Sequence, residues 1–252
     1  MLTFFSSAFI NRFISISWAP KFLTYLLYFS RFMAIYMRAD PRSVIEILGD
    51  AMEQLILASK SPRRKEILEK LHIPYILYET EINEDLELKR SIRSLVVGVS
   101  RRKVDSVIPY FSSGLVLGVD TVVFFQNSIL GKPRDKEEAK RYLTLLNGNH
   151  HEVVSGITLQ DTASGTGYSS ASKTTVCFAR LTRAEIEWYI ETGEWFDKAG
   201  AYAIQGTASL FIKRITGSYY NVMGLPVEEL YRLLKRFSYF TSAGKYRPVK
   251  RL

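Results

Sequence analysis

Eleven residues in the middle of the chain, Leu115 to Phe125, read Leu-Val-Leu-Gly-Val-Asp-Thr-Val-Val-Phe-Phe. Such an apolar run, dominated by β-branched and aromatic side chains, predicts a buried strand. Its one charge, Asp120, stands where an ionised carboxylate is costly unless it is paired, bound to a metal or bonded to backbone donors. The chain must therefore wrap that strand on its flanks and supply Asp120 with a partner.

Around this strand the pattern alternates. Strands are expected at 55–58 and 75–79, helices at about 62–71 and 89–106, and an acidic loop at 80–87. A helix from Asp135 to Leu146 places Ala139, Tyr142, Leu143 and Leu146 on one face. Strands at about 152–161 and 168–180 flank a Gly- and Ser-containing turn and read as a hairpin. Thr182 with Glu185 forms a capping box that opens a helix to about Thr192. A strand at 209–215 and a helix at 226–237 follow. Strands alternating with helices, plus one hairpin, argue for an α/β fold with a mixed sheet.

The segment Ala58-Ser59-Lys60-Ser61-Pro62-Arg63-Arg64-Lys65 joins the first strand to the first helix. Proline suits the first helical position, where its missing N–H would be unpaired anyway. The helix start offers free N–H groups and a positive dipole end to an anion. Two arginines add forked donors that match phosphate oxygens. A solvated helix start is the plainer reading of the same residues, and a polyphosphate site is the richer one.

The formal charge of +9 is spread along the chain, with +2 in residues 1–51, +3 in 52–237 and +4 in 238–252. A duplex-binding surface would concentrate its charge on one element, so nucleic acid is not the expected partner. The single cysteine, Cys177, excludes an internal disulfide and is expected to act as a small core hydrophobe. Three scattered histidines give no zinc signature. Residues 1–39 hold no acid, and Arg12, Lys21, Arg31 and Arg38 cut them into uncharged stretches too short to span a membrane. Such a lead is similar to a transit peptide or an interfacial helix. The expectation here is that translation starts at Met52, that residues 1–51 lie outside the core, that the working domain is 52–237, and that 238–252 form a mobile basic tail.

Further blocks follow in order: Gly118-Val119-Asp120-Thr121-Val122-Val123, Gly131-Lys132-Pro133, Asp197-Lys198-Ala199-Gly200-Ala201-Tyr202-Ala203-Ile204-Gln205-Gly206, and Gly217-Ser218-Tyr219-Tyr220-Asn221-Val222-Met223-Gly224-Leu225-Pro226. Together with the Ser59–Lys65 segment they resemble the Maf family of nucleoside triphosphate pyrophosphatases, over roughly Gln54 to Phe237. The resemblance implies an elongated, bent mixed sheet with flanking helices and two lobes around a nucleotide cleft. It implies a cytoplasmic, homodimeric enzyme, with no membrane or nucleic-acid partner, that uses Mg, Mn or Co to split a triphosphate between its α- and β-phosphates. Asp120 is then the proton acceptor and a metal contact, and Glu84 a second metal contact. Ser59, Arg64, Lys103 and Lys132 bind phosphate, while Arg63, Thr121 and Gln205 select the base.

Gln205 and the paired arginines are similar to the branch acting on dTTP and UTP, including modified pyrimidine nucleotides. A glutamine amide offers one acceptor and two donors, which suits the O4/N3–H edge of uracil or thymine. Asn83 stands where the family often has an acid, which weakens the implied metal contacts, and Ala203 replaces a common glycine beside the base pocket. Gly98 and Val99 lower the helix propensity of the element carrying Lys103. Gly131-Lys132 lacks the glycine spacing and the following Ser/Thr of a Walker motif. A second reading keeps the pocket without the chemistry, as a nucleotide-binding regulator of cell division; retention of Asp120, Glu84, Lys103 and Lys132 together favours the enzyme.

Overall fold

The computed structural model describes residues 55–80, 82 and 91–240. The readings made for residues 1–51, for Glu84 and its loop, and for the basic end beyond residue 240 lie outside the described residues.

Seven strands form one mixed sheet: β1 (Leu55–Ala58), β2 (Tyr75–Tyr78), β3 (Leu115–Phe125), β4 (Ser128–Leu130), β5 (His150–Asp161), β6 (Gly167–Phe178) and β7 (Ile212–Thr216). The order is β2-β1-β3-β5-β6-β7, with β4 added to β3. β1 runs parallel to β2 and β3, and the remaining pairs are antiparallel. Helices α1 (Pro62–Lys70), α2 (Ile92–Asp105), α3 (Lys136–Leu146), α4 (Arg183–Glu191), α5 (Tyr219–Met223) and α6 (Val227–Arg236) flank it. The expected mixed α/β class is thus observed. No described helix is long and apolar enough to cross a membrane.

Local chemistry explains most of these elements. Pro62 opens α1 in its first turn. Ser91 caps α2 by accepting from Ser94 N at 3.3 Å, so the described helix starts at Ile92. Both halves of the Thr182–Glu185 capping box are present at α4. The strands β1 and β3 are buried on both faces, as the apolar runs require. Leu55, Leu57, Leu115 and Leu117 enter the main core, whereas Ile56, Ala58 and Val116 pack on the opposite face with Val104 and Val107.

Three elements differ from expectation. β4 follows a two-residue turn at Gln126-Asn127, both with positive φ (46° and 60°), the geometry whose twist suits a tight hairpin. The strand expected at 209–215 begins only at Ile212, because Thr207–Phe211 form a 3-10 turn whose first N–H groups are taken by the Glu194 carboxylate. The short helix α5 was not expected; Ser218 caps it, and it ends at Gly224 in the left-handed region. Cys177 is only half-buried, since Val176 and Phe178 take the inward positions of β6. Packing also continues past Phe237, with Tyr239 buried in the core and its N–H bonded to Leu234 O.

Two glycines decide how closely α2 lies on the sheet. A Cβ on Gly118 of β3 would stand 2.2 Å from Ser100 O, and one on Gly156 of β5 would stand 2.2 Å from Val96 O. The helix backbone therefore rests directly on β3 and β5, which brings the last turn of α2 down onto the middle of β3.

The sheet order opens a crevice. From β1 the chain passes through α1 to β2 on one side, while β3 lies on the other. Open α/β sheets bind ligands outside the carboxyl ends of strands at such a reversal. On this edge of β3, β1 pairs with Leu115–Gly118 and β4 with Val123–Phe125. Among the described residues no strand pairs with Val119–Val122 there, and Asp120 and Thr121 occupy that gap.

Candidate active site

A pocket of about 340 Å³ opens at the gap. All eight described residues expected at the site line it: Ser59, Arg63, Arg64, Lys103, Asp120, Thr121, Lys132 and Gln205. They come from the turn after β1, the start of α1, the end of α2, the middle of β3, the loop after β4 and the segment before the 3-10 turn. Thr80, from which the chain enters the segment carrying Glu84, also lines it. Six basic side chains and two acidic ones border the pocket, so it is built for an anion.

The partner required by Asp120 is Lys103. Its Nζ lies 2.9 Å from Asp120 Oδ1 and also donates to Val119 O at 3.3 Å. Both side chains are under a tenth exposed. A buried ion pair of this kind is strongly destabilising to break from one side, by about 3–5 kcal/mol. The pairing leaves Asp120 Oδ2 buried without a hydrogen-bond partner. One oxygen is held and the other is open for a proton or a ligand.

Arg64, expected at the phosphates, also bonds to three protein groups. Its Nε donates to Gly224 O at 2.9 Å, one terminal nitrogen donates to Ser59 Oγ at 2.9 Å, and the other reaches Thr121 Oγ1 at 3.4 Å. The guanidinium thus ties the turn after β1 to β3 and to the end of α5. Ser59 Oγ also accepts from Ser61 N at 3.1 Å, which shapes the turn into α1. Thr121 Oγ1 lies 2.8 Å from Ser155 Oγ and 3.3 Å from Gly224 O. The fully buried Ser155 was not anticipated from sequence, because a serine in β5 carries no local signal of a partner on β3.

The opposite wall is looser. Arg63 donates to Asp197 O at 3.4 Å and keeps a second terminal nitrogen buried without a partner. Burial lowers its pKa from the ordinary arginine value, with Asp197 opposing. Lys132 is ion-paired with Asp197 Oδ1 while most of its side chain remains exposed. Lys198 is likewise lowered, first by burial and then by the charge of Arg63. Cations that repel one another around a cavity gain from an anion placed between them. Asp197 and Ala201 hold positive φ, at 58° and 64°, so this wall is a strained loop. Within the Asp197-Lys198-Ala199-Gly200 block, both charged residues line the pocket.

The donor set suits a hard cation carried with its substrate. Among the described residues no three His, Cys, Asp or Glu side chains gather into a metal cluster. A magnesium-like ion needs only one or two carboxylates, with waters and phosphate oxygens completing its shell. Asp120 Oδ2, buried and unpaired at the pocket wall, is an oxygen of the kind such an ion takes.

Comparison with known proteins agrees with this geometry. Residues 54–237 match the family model described as Maf-like protein. The dTTP/UTP pyrophosphatase of Geobacillus sp. (strain WCH70) is 44% identical over 189 residues, which cover 75% of this chain and 100% of that one. The proteins of the same name from Symbiobacterium thermophilum and Carboxydothermus hydrogenoformans are each 42% identical, over 75% and 74% of this chain and 96% and 100% of their own. The match runs through both walls of the pocket, from the turn after β1 to the segment bearing Gln205, and the chain belongs to the Maf family.

Proposed function

We propose that this chain is a nucleoside triphosphate pyrophosphatase acting on dTTP and UTP, releasing the monophosphate and diphosphate. The observation that carries the reading is Asp120: a buried carboxylate in a cationic pocket, fixed through one oxygen by Lys103, with the other oxygen unpaired.

In this reading the triphosphate lies among Lys103, Lys132 and Lys198, with Arg63 at its base-side end. Arg64 shapes the cradle by holding Ser59 and Thr121. Asp120 Oδ2 accepts a proton from water as the water oxygen bonds to the α-phosphorus. The bond from that phosphorus to the bridging oxygen then breaks, and diphosphate leaves with its added charge neutralised by the lysines. Asp120, with phosphate oxygens and waters, would hold a divalent ion, which supplies further neutralisation of phosphate charge. Ion contact and proton acceptance draw on the same oxygen, so the two roles belong to different states of the site. Gln205, exposed at the rim, is placed to read the pyrimidine edge through its amide. The names of the similar chains support both the reaction class and the pyrimidine choice.

A panel of kcat/KM values for UTP, dTTP, GTP and ATP, measured with Mg, Mn, Co and with chelator, tests the reading. Turnover of the pyrimidine nucleotides in preference to purines, lost with chelator, is expected. Equal turnover of all four would refute the assigned selectivity, and no turnover with any ion would favour a nucleotide-binding regulator.

A further inference from the structure

Glu194 lies after α4, outside every residue assigned to the reaction, yet its carboxylate is fully engaged. It accepts from Thr207 N at 2.7 Å, from Ala208 N at 3.2 Å and from Tyr189 OH at 3.0 Å. The two backbone donors open the 3-10 turn Thr207–Phe211, immediately after Gln205-Gly206. Tyr189 belongs to α4, is fully buried and packs edge-on against Phe211 at the far end of the same turn. The carboxylate also fills the space beside Gly206, where a Cβ would stand 2.1 Å from Glu194 Oε2. Gly206 N closes on Ala203 O at 3.1 Å, so the residues around Gln205 turn tightly over this anchor.

We propose that Glu194 is a positioning residue for base selection: from behind the pocket wall it clamps the turn that carries Gln205, and so sets where the glutamine amide meets the base. The inference rests on the reading of Gln205 as the base-contacting group. An exposed glutamine has many rotamers and selects poorly unless its backbone is fixed. Two charge-assisted bonds from adjacent N–H groups to one carboxylate fix it far better than neutral contacts. Glycine at 206 is what allows the carboxylate to approach.

Glu194→Gln retains the shape but offers one acceptor where the carboxylate offered two, and it sets an NH2 group against a backbone donor. Gly206→Ala disturbs the same contact from the other side and leaves the carboxylate intact. The experiment measures the kcat/KM ratio of UTP to GTP for the wild type, for these two variants, for Gln205→Ala and for the Glu194→Gln/Gln205→Ala double variant, with thermal melts alongside. All three single variants should lower the ratio by about tenfold or more, the scale set by losing one substrate hydrogen bond. The double variant should fall no further than Gln205→Ala, because both act through one amide.

If Gln205→Ala collapses the ratio while Glu194→Gln and Gly206→Ala lower UTP and GTP by one common factor, Glu194 is a packing residue and the inference is overturned. If Gln205→Ala leaves the ratio unchanged, the base-reading assignment fails and takes the clamp with it. Should Glu194→Gln not yield folded protein, the ratio of Gly206→Ala decides alone.

Discussion

The two walls of the pocket are built on opposite plans. On one wall Ser59, Arg64, Lys103 and Asp120 sit on or beside the parallel strands β1 and β3, are each under a tenth exposed, and are bonded to one another or to backbone. On the other, Lys132 and Gln205 are exposed and Arg63, Asp197 and Lys198 half-buried, mostly on loops, with positive φ at Asp197 and Ala201. Atoms that must be placed to within a fraction of an ångström benefit from the first plan, and groups that must adapt to a ligand benefit from the second. The rigid wall is thus expected to control the rate of the chemical step, and the looser wall affinity and selectivity.

The largest effect should come from the rigid wall. Asp120→Asn keeps the size of the side chain and removes the proton acceptor, so kcat should fall by about 10²–10⁴ while UTP still binds. Calorimetric titration beside steady-state kinetics would check this, and a variant with a tenth of wild-type kcat would break the division between the walls.

The antiparallel side can be probed through His151, which lies in β5 with Nε2 2.8 Å from the hydroxyl of Tyr202, a pocket residue. Burial pushes the imidazole down to about 4 from its ordinary 6.5, so the folded protein prefers it neutral. Between those values the unfolded chain binds a proton that the folded one does not. The stabilisation is complete above about pH 6.5 and is lost as pH falls towards 4, by roughly 3 kcal/mol. Urea unfolding at several pH values, compared with His151→Gln, should show a shallower pH dependence in the variant.

A smaller effect, again on the rigid wall, is expected for Gly118→Ala. Its Cβ would collide with Ser100 O, so α2 must lift and carry Lys103 away from Asp120. Overpacking of this kind costs about 1–3 kcal/mol, and kcat should fall with KM little changed. Smallest of all, Lys132→Ala should raise KM and lower kcat together, by about tenfold in kcat/KM, because a largely exposed lysine is screened by water. If only the melting temperature moved, Lys132 would belong to the turn and not to the site.

The rigid wall was also the legible one. Asp120 announced itself as the one charge in an apolar strand, and the Ser-Pro helix start placed the turn after β1. Those signals are local, because burial and capping act on neighbours in sequence. What sequence could not show was pairing across the fold. Nothing in the sequence announced the bonds of Arg64 to Ser59, Thr121 and Gly224, and Ser155 gave no sign of its bond to Thr121. The run Ser209-Leu210-Phe211 read as strand because it is apolar, yet Glu194, thirteen residues before Thr207, holds the start of that segment in a turn. Two elements left unused local clues: the two-residue Gln126-Asn127 turn ahead of Ser128-Ile129-Leu130, and the Ser218 cap and Gly224 stop of α5.

In the proposed reaction the rigid wall activates water to split the α–β bond of a pyrimidine triphosphate. Phosphorus NMR of UTP incubated with the protein and magnesium tests it most directly, since each possible product has its own resonances. UMP and diphosphate should form in equal amounts, and at least about a hundredfold more slowly with Asp120→Asn. UDP with inorganic phosphate, or UTP left intact, would contradict it.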